Sequence, residues 1–93
     1  MDVKQVVDLA KKHVKDLFEN EGVYDVGLEE IEFDDHGQAW NVTIGFSRPW
    51  DKPPTSLAML AQQISYPKRS FKIVRIDDVS GRLLSLKNRE IKS

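Results

Sequence analysis

Residues 3–18 carry apolar side chains at helical spacing. Val3, Val6, Val7, Ala10, Val14, Leu17 and Phe18 recur at i, i+3, i+4 and i+7, with lysines and carboxylates between them. This spacing predicts one amphipathic helix. Asp2 stands where an N-cap carboxylate accepts the free N–H groups of a first turn. Asn20-Glu21-Gly22 closes the helix, with Gly22 free to take the left-handed conformation. Its valines lower intrinsic helicity, so the helix needs something to pack against.

The period then changes to two. Val26, Leu28, Ile31 and Phe33 predict a strand over 26–34, and the alternation slips between Leu28 and Ile31, which predicts a bulge. Asp34-Asp35-His36-Gly37 reads as a turn, with Gly37 free to adopt positive φ. Trp40, Val42, Ile44 and Phe46 alternate with Asn41, Thr43, Gly45 and Ser47, which completes an antiparallel hairpin. A second hairpin is predicted from Phe71–Ile76 and Arg82–Lys87. It turns at Asp77-Asp78-Val79-Ser80-Gly81, with Gly81 as its left-handed residue. Phe71 and Ile73 fall on one face of its first strand, and Val74 and Ile76 on the other. Leu84 and Leu86 are expected on one face of the last strand.

The stretch 47–70 between the hairpins holds all four prolines, Pro49, Pro53, Pro54 and Pro67. Structureless loops beyond about 12–15 residues are uncommon. Leu57, Leu60, Ala61 and Ile64 predict a short helix after Pro54 that Pro67 stops. A mobile flap over 54–66 is the alternative, and residues 89–93 are expected to fray.

The expected fold class is therefore α+β, in a single domain over residues 1–93. An N-terminal helix packs on a four-stranded antiparallel sheet of two hairpins, with a long, Pro-rich, partly helical connection between strands 2 and 3. One helix covers one face of a sheet. The face bearing Phe71 and Ile73 is then expected to be covered by residues 54–66, by a second copy of the chain or by a partner.

Composition removes several chemistries. The 93 residues include no cysteine, which excludes a disulfide framework, a thiol nucleophile and a Cys-ligated zinc. There is no run of the ~20 apolar residues that a transmembrane helix needs. The chain opens without an apolar signal stretch, so a soluble, cytoplasmic protein with no membrane partner is expected. The net charge of −1 conceals a split. Residues 1–47 carry 4 basic and 11 acidic side chains, a net of −7, and residues 48–93 carry 10 basic and 4 acidic, a net of +6. Such asymmetry serves either a charged partner or mutual neutralisation of the two halves across neighbouring strands.

Catalytic patterns do not assemble. His36 beside Asp34 and Asp35 fits turn chemistry, and His13 lies at the edge of the helical stripe, whereas a divalent site needs three or four converging ligands. No serine stands in a Gly-x-Ser-x-Gly elbow. Glu29–Glu30 and Asp77–Asp78 are sequence neighbours, and neighbours on a strand point to opposite faces. The glycines form no phosphate loop. No catalytic residue, cofactor or metal is expected. Asn41-Val42-Thr43 matches a glycosylation acceptor but lies within a predicted strand.

Binding is left. Ser47-Arg48-Pro49-Trp50-Asp51 has the composition of an interface anchor, an aromatic beside a proline with an arginine close by; the alternative is that Trp50 folds back as a lid over the end of the core. The residues expected to touch a partner are Arg48, Trp50, Phe71, Ile73 and Arg75. The leading expectation is a small non-catalytic protein-binding or regulatory module, whose partner is another protein or the chain itself as a homodimer. One alternative is nucleic-acid binding through Lys68, Arg69, Lys72, Arg82 and Lys87, with Tyr66 and Phe71 as stacking aromatics. It ranks lower because the chain is not basic overall. Another is an inhibitor or immunity-type protein that blocks an enzyme.

The order helix, strand, strand, connection, strand, glycine turn, strand resembles PepSY-type and other cystatin-like domains. The residues that carry the likeness are the Val3–Phe18 helix, Ile31-Glu32-Phe33, Trp40-Asn41-Val42-Thr43-Ile44 and the closing hairpin from Val74 through Gly81 to Leu84. The resemblance implies one helix across an antiparallel meander and an inhibitory or peptide-binding role. Three features depart from the pattern. The first turn is Asp35-His36-Gly37, where cystatin inhibitors present Gln-x-Val-x-Gly. Pro49-Trp50 is similar to the cystatin Pro-Trp loop but follows a different strand. PepSY domains are mostly exported or membrane-attached, and no export signal is seen here.

Overall fold

The computed structural model describes residues 1–49 and 69–89. Helix α1 spans Val3–Leu17 and begins at a capping box. The Asp2 carboxylate accepts from the Gln5 N–H at 2.8 Å, and the Gln5 side chain accepts from the Asp2 N–H at 3.0 Å, so two orphan donors of the first turn are satisfied reciprocally. A 3₁₀ turn, Glu19–Glu21, follows, and Gly22 ends it at φ 62°. Four strands come next: β1 Tyr24–Asp34, β2 Ala39–Ser47, β3 Ser70–Asp77 and β4 Leu83–Asn88. They form one sheet in the order β1-β2-β3-β4, and every neighbouring pair is antiparallel. The expected α+β architecture of one helix on a four-stranded antiparallel sheet is thus the observed one. The predicted short helix after Pro54, the flap over 54–66 and the frayed end beyond Arg89 lie outside the described residues.

The core sits between α1 and one face of the sheet. Val6, Ala10 and Val14 of the helix are fully buried against Val42, Ile44, Phe46, Val74 and Ile76. These are the i, i+4, i+8 stripe of the helix and the period-2 faces of β2 and β3, which the alternation alone predicts. Phe18 and Phe46 stack with ring centroids 5.3 Å apart, and Phe33 meets Trp40 edge-on at 4.9 Å.

The predicted slip in β1 is present as a register shift between Leu28 and Glu30. A second shift, between Tyr24 and Gly27, accompanies Asp25 at φ 53°. From Glu30 to Asp34 the pairing with β2 is unbroken.

Two local expectations are corrected. Gly37 is not at positive φ; Gln38 takes that role in the turn, at φ 50°. Gly37 is needed for room instead, because a Cβ there would run into the Arg75 guanidinium and stand 2.9 Å from an Asp34 carboxylate oxygen. Leu84 does not share the core face with Leu86. The β3–β4 register shifts at Arg75/Ile76, so Leu83 pairs with Ile76. Leu83 and Leu86 pack on the core and Leu84 stays 40% exposed.

Candidate functional site

The face of the sheet away from α1 is built from Asn41, Thr43, Gly45 and Ser47 of β2 and from their cross-strand neighbours. Thr43 and Ser47 are buried despite being polar. Arginines from the second half of the chain reach over these small residues to carboxylates of the first half. Arg75 on β3 crosses Asn41, donating to its side chain at 3.1 Å, and meets Asp34 of β1 at 2.8 Å. Arg69 crosses Gly45, lies 4.0 Å from Glu29 and donates to the Asp25 carbonyl at 2.8 Å. A glycine suits this crossing: a Cβ on residue 45 would stand 2.9 Å from Glu29 Oε1 and 3.1 Å from Arg69 Nη2. Arg48 pairs with Glu21 at 3.0 Å beside the same end of the sheet. Among the described residues, three arginine–carboxylate pairs thus join the basic second half to the acidic first half.

The residues expected at a partner surface are placed as follows. Arg48 is turned inward. It donates to Glu21 and to Ser70 Oγ, and its guanidinium carbon lies 5.5 Å from the Phe18 ring centroid and 5.3 Å from that of Phe46. A guanidinium held between two rings and a carboxylate is a clamp on the end of the core. Arg75 is likewise held within the chain. Phe71 and Ile73 are half-buried on the far face, and the Arg89 guanidinium lies 4.4 Å from the Phe71 ring centroid. Trp50 lies outside the described residues.

Among the described residues, the cations expected for nucleic acid are spread over both faces of the sheet. Arg69 is paired on the far face, whereas Lys72 stands on the helix side, bonded to Asn88 and 5.7 Å from the Phe18 ring. Lys87 is exposed on the far face, and Arg82 is exposed just after the β3–β4 turn. Lys68 lies outside the described residues.

Two carboxylates at the turns each accept from several donors. Asp34 sits below its ordinary pKa, chiefly through the Arg75 guanidinium and then through the Gly37 and His36 N–H groups. Asp77 is also lowered, chiefly by the Ser80 N–H at 2.7 Å and the Ser80 hydroxyl at 2.9 Å, with Val79 adding a third donor. Both carboxylates favour the fold when ionised. Their contribution is full above the unfolded aspartate value of about 3.9 and is lost as pH falls through the lower folded values. Urea unfolding measured at steps below pH 4 should show a falling midpoint. Asp34→Asn should flatten part of that fall, and an unchanged slope would contradict the assignment. Asp78 has another role: one of its oxygens accepts from the Trp40 indole N–H at 2.8 Å. Among the described residues no group of three His, Asp or Glu side chains converges as metal ligands would. No helix among them is long and apolar enough to cross a membrane.

An unclosed sheet leaves two edges open to binding, and the sequence does not say which of them is used. Among the described residues neither β1 nor β4 has a second strand neighbour. Arg89 N–H donates to the Phe71 carbonyl, so in the antiparallel ladder Lys72↔Asn88 and Val74↔Leu86 are pairs that exchange no backbone bonds. The backbone groups of Leu86 and Asn88 therefore point away from the sheet, beside exposed Leu84, Lys87 and Asn88 side chains. Comparison with protein-family models, curated proteins and solved structures finds no match.

Proposed function

We infer that this domain is a non-catalytic protein-binding module whose partner adds a strand at the β4 edge. One observation carries the reading: β4 presents outward backbone donors and acceptors at Leu86 and Asn88, flanked by the 40% exposed Leu84 and by Lys87. Among the described residues no strand pairs with this edge, and an edge of this kind is a template for strand addition, in which main-chain bonds supply affinity and alternate side chains supply specificity. The β1 edge is guarded differently. Its first half is broken by two register shifts, and its second half carries the carboxylates of Glu30, Glu32 and Asp34.

The pairing of Arg48 and Arg75 with carboxylates of their own chain supports an edge as the binding surface in preference to the far face. The distribution of Arg69, Lys72, Arg82 and Lys87 over both faces gives nucleic-acid binding less support, since a phosphate-tracking surface gathers its cations. A regulatory or inhibitory role, a cystatin-like kinship and a cytoplasmic setting belong to the same proposal.

Asn88→Pro provides the test. It removes an outward N–H without breaking a backbone bond to β3, although the side-chain bond from Lys72 is lost with the amide, and proline is tolerated at an edge. Proteins captured from lysate by the wild-type chain and identified by mass spectrometry should be lost with Asn88→Pro. Identical capture by both chains would overturn the edge as the site.

A further inference from the structure

We propose that the strand added at β4 is β1 of a second copy of this chain, so that the sheet continues head-to-tail from copy to copy. This rests on the β4 edge being the binding surface and names its occupant.

The argument begins with matched lengths. The unbroken part of β1 is Glu30–Asp34, and the β4 stretch beyond its register shift is Ser85–Asn88, extended by the Arg89 bond to Phe71. The backbone parity of the two edges also agrees. Asp78 N–H donates to the Gln38 carbonyl, which makes Ala39↔Asp77 a pair without mutual bonds and turns Ala39, Asn41 and Thr43 toward β1. Their partners Asp34, Glu32 and Glu30 are then occupied, and the backbone groups of Ile31 and Phe33 point outward. On the other edge the outward residues are Leu86 and Asn88. All four of these side chains belong to the helix face, so a bonded β4–β1 pairing keeps helix face with helix face. Direction agrees as well: in this fully antiparallel sheet of four strands, the next copy's β1 meets β4 antiparallel when its helix lies on the same side.

Charge then selects the register. On the far face β4 presents Lys87, followed by Arg89, and β1 presents Glu30 and Glu32, both exposed and without an ion pair among the described residues. With Leu86 against Phe33 of the next copy, Lys87 falls opposite Glu32 and Arg89 opposite Glu30. Opposite charges directly across strands attract, and the apolar pair beside them loses water. Glu30-Ile31-Glu32-Phe33-Asp34 is the alternating acidic and apolar strand that such an edge selects. The contact is heterologous, so it builds a ring or an open chain of copies rather than a closed two-fold dimer.

Sedimentation on the full chain tests this with two charge-reversed variants, Lys87→Glu/Arg89→Glu and Glu30→Lys/Glu32→Lys. The wild-type mass should rise with concentration past about two-fold that of the monomer. Each variant alone should stay monomeric, because its two edges carry the same sign. An equimolar mixture should assemble again, since each basic edge then meets an acidic one. A wild-type monomer at all concentrations, a plateau at the dimer, or assembly of either variant alone would overturn the proposal. Failure here with continued loss of captured proteins in Asn88→Pro would leave β4 as a site for a different protein. Failure of both would remove the edge itself.

Discussion

Replacing Phe46 with alanine should lower the unfolding free energy by about 3–5 kcal/mol, the range for removing a buried aromatic ring. Phe46 is fully buried near the end of β2, in tilted contact with Phe18 and beneath the Arg48 guanidinium. Its loss leaves a cavity and also unseats Arg48, which ties Glu21 after the helix to Ser70 at the start of β3. Domains of this size hold only about 5–15 kcal/mol in all, so the variant should sit near the limit of folding at room temperature. Val79→Ala is the control, because Val79 is 87% exposed and should change stability by less than about 0.5 kcal/mol. Urea unfolding compares them through the midpoint at constant slope. A Phe46→Ala loss as small as that of Val79→Ala would contradict this account of the core.

Gly81→Ala should cost more than Gly22→Ala, although both glycines are left-handed, at φ 73° and 62°. The backbone penalty for a side chain in this region is about 1–2 kcal/mol and applies to both. Their surroundings differ. A Cβ on residue 22 would meet only Pro49, at an ordinary 3.5 Å. A Cβ on residue 81 would press on the Met1 side chain and stand 3.0 Å from Leu9 Cδ2, which packs on the core. Crowding of that kind adds about 1–3 kcal/mol, so Gly81→Ala should lose roughly 2–5 kcal/mol in total. Equal losses in the two variants would show that the β3–β4 turn does not lie against α1 as described.

Much of the fold is legible where a residue's neighbours in sequence decide its environment. The helical stripe, the Asp2 cap, the Trp40–Phe46 alternation and the slip after Leu28 are all of this kind. Legibility fails where a partner strand decides. Leu83 and Leu84 are indistinguishable in composition, and only the register shift opposite Ile76 buries one and exposes the other. Gly37 looks like a φ residue because it stands in a turn, yet its role is space for Arg75, a residue far along the chain. Arg48 reads as an exposed anchor beside Pro49, but Phe18, Glu21 and Phe46 draw it inward.

The candidate site was legible only as raw material. The acidic excess between Glu21 and Asp35 and the basic residues Lys87 and Arg89 are visible in the sequence. Which backbone groups they accompany, and on which edge, follows from the ladder parity. The alternation of carboxylate and apolar residues from Glu30 to Asp34 was the available signal. The same alternation sets Ile31 and Phe33 on the helix face.

The central claim is that the outer edge of β4 is where a protein partner pairs. Amide hydrogen exchange, read residue by residue in the free chain and in complex with a protein captured as above, tests it most directly. Ser85 and Lys87 amides, bonded to β3, should be slow in both states. Leu86 and Asn88 amides should exchange quickly in the free chain and slow markedly in the complex. Unchanged rates at Leu86 and Asn88 in a fully formed complex would contradict the account.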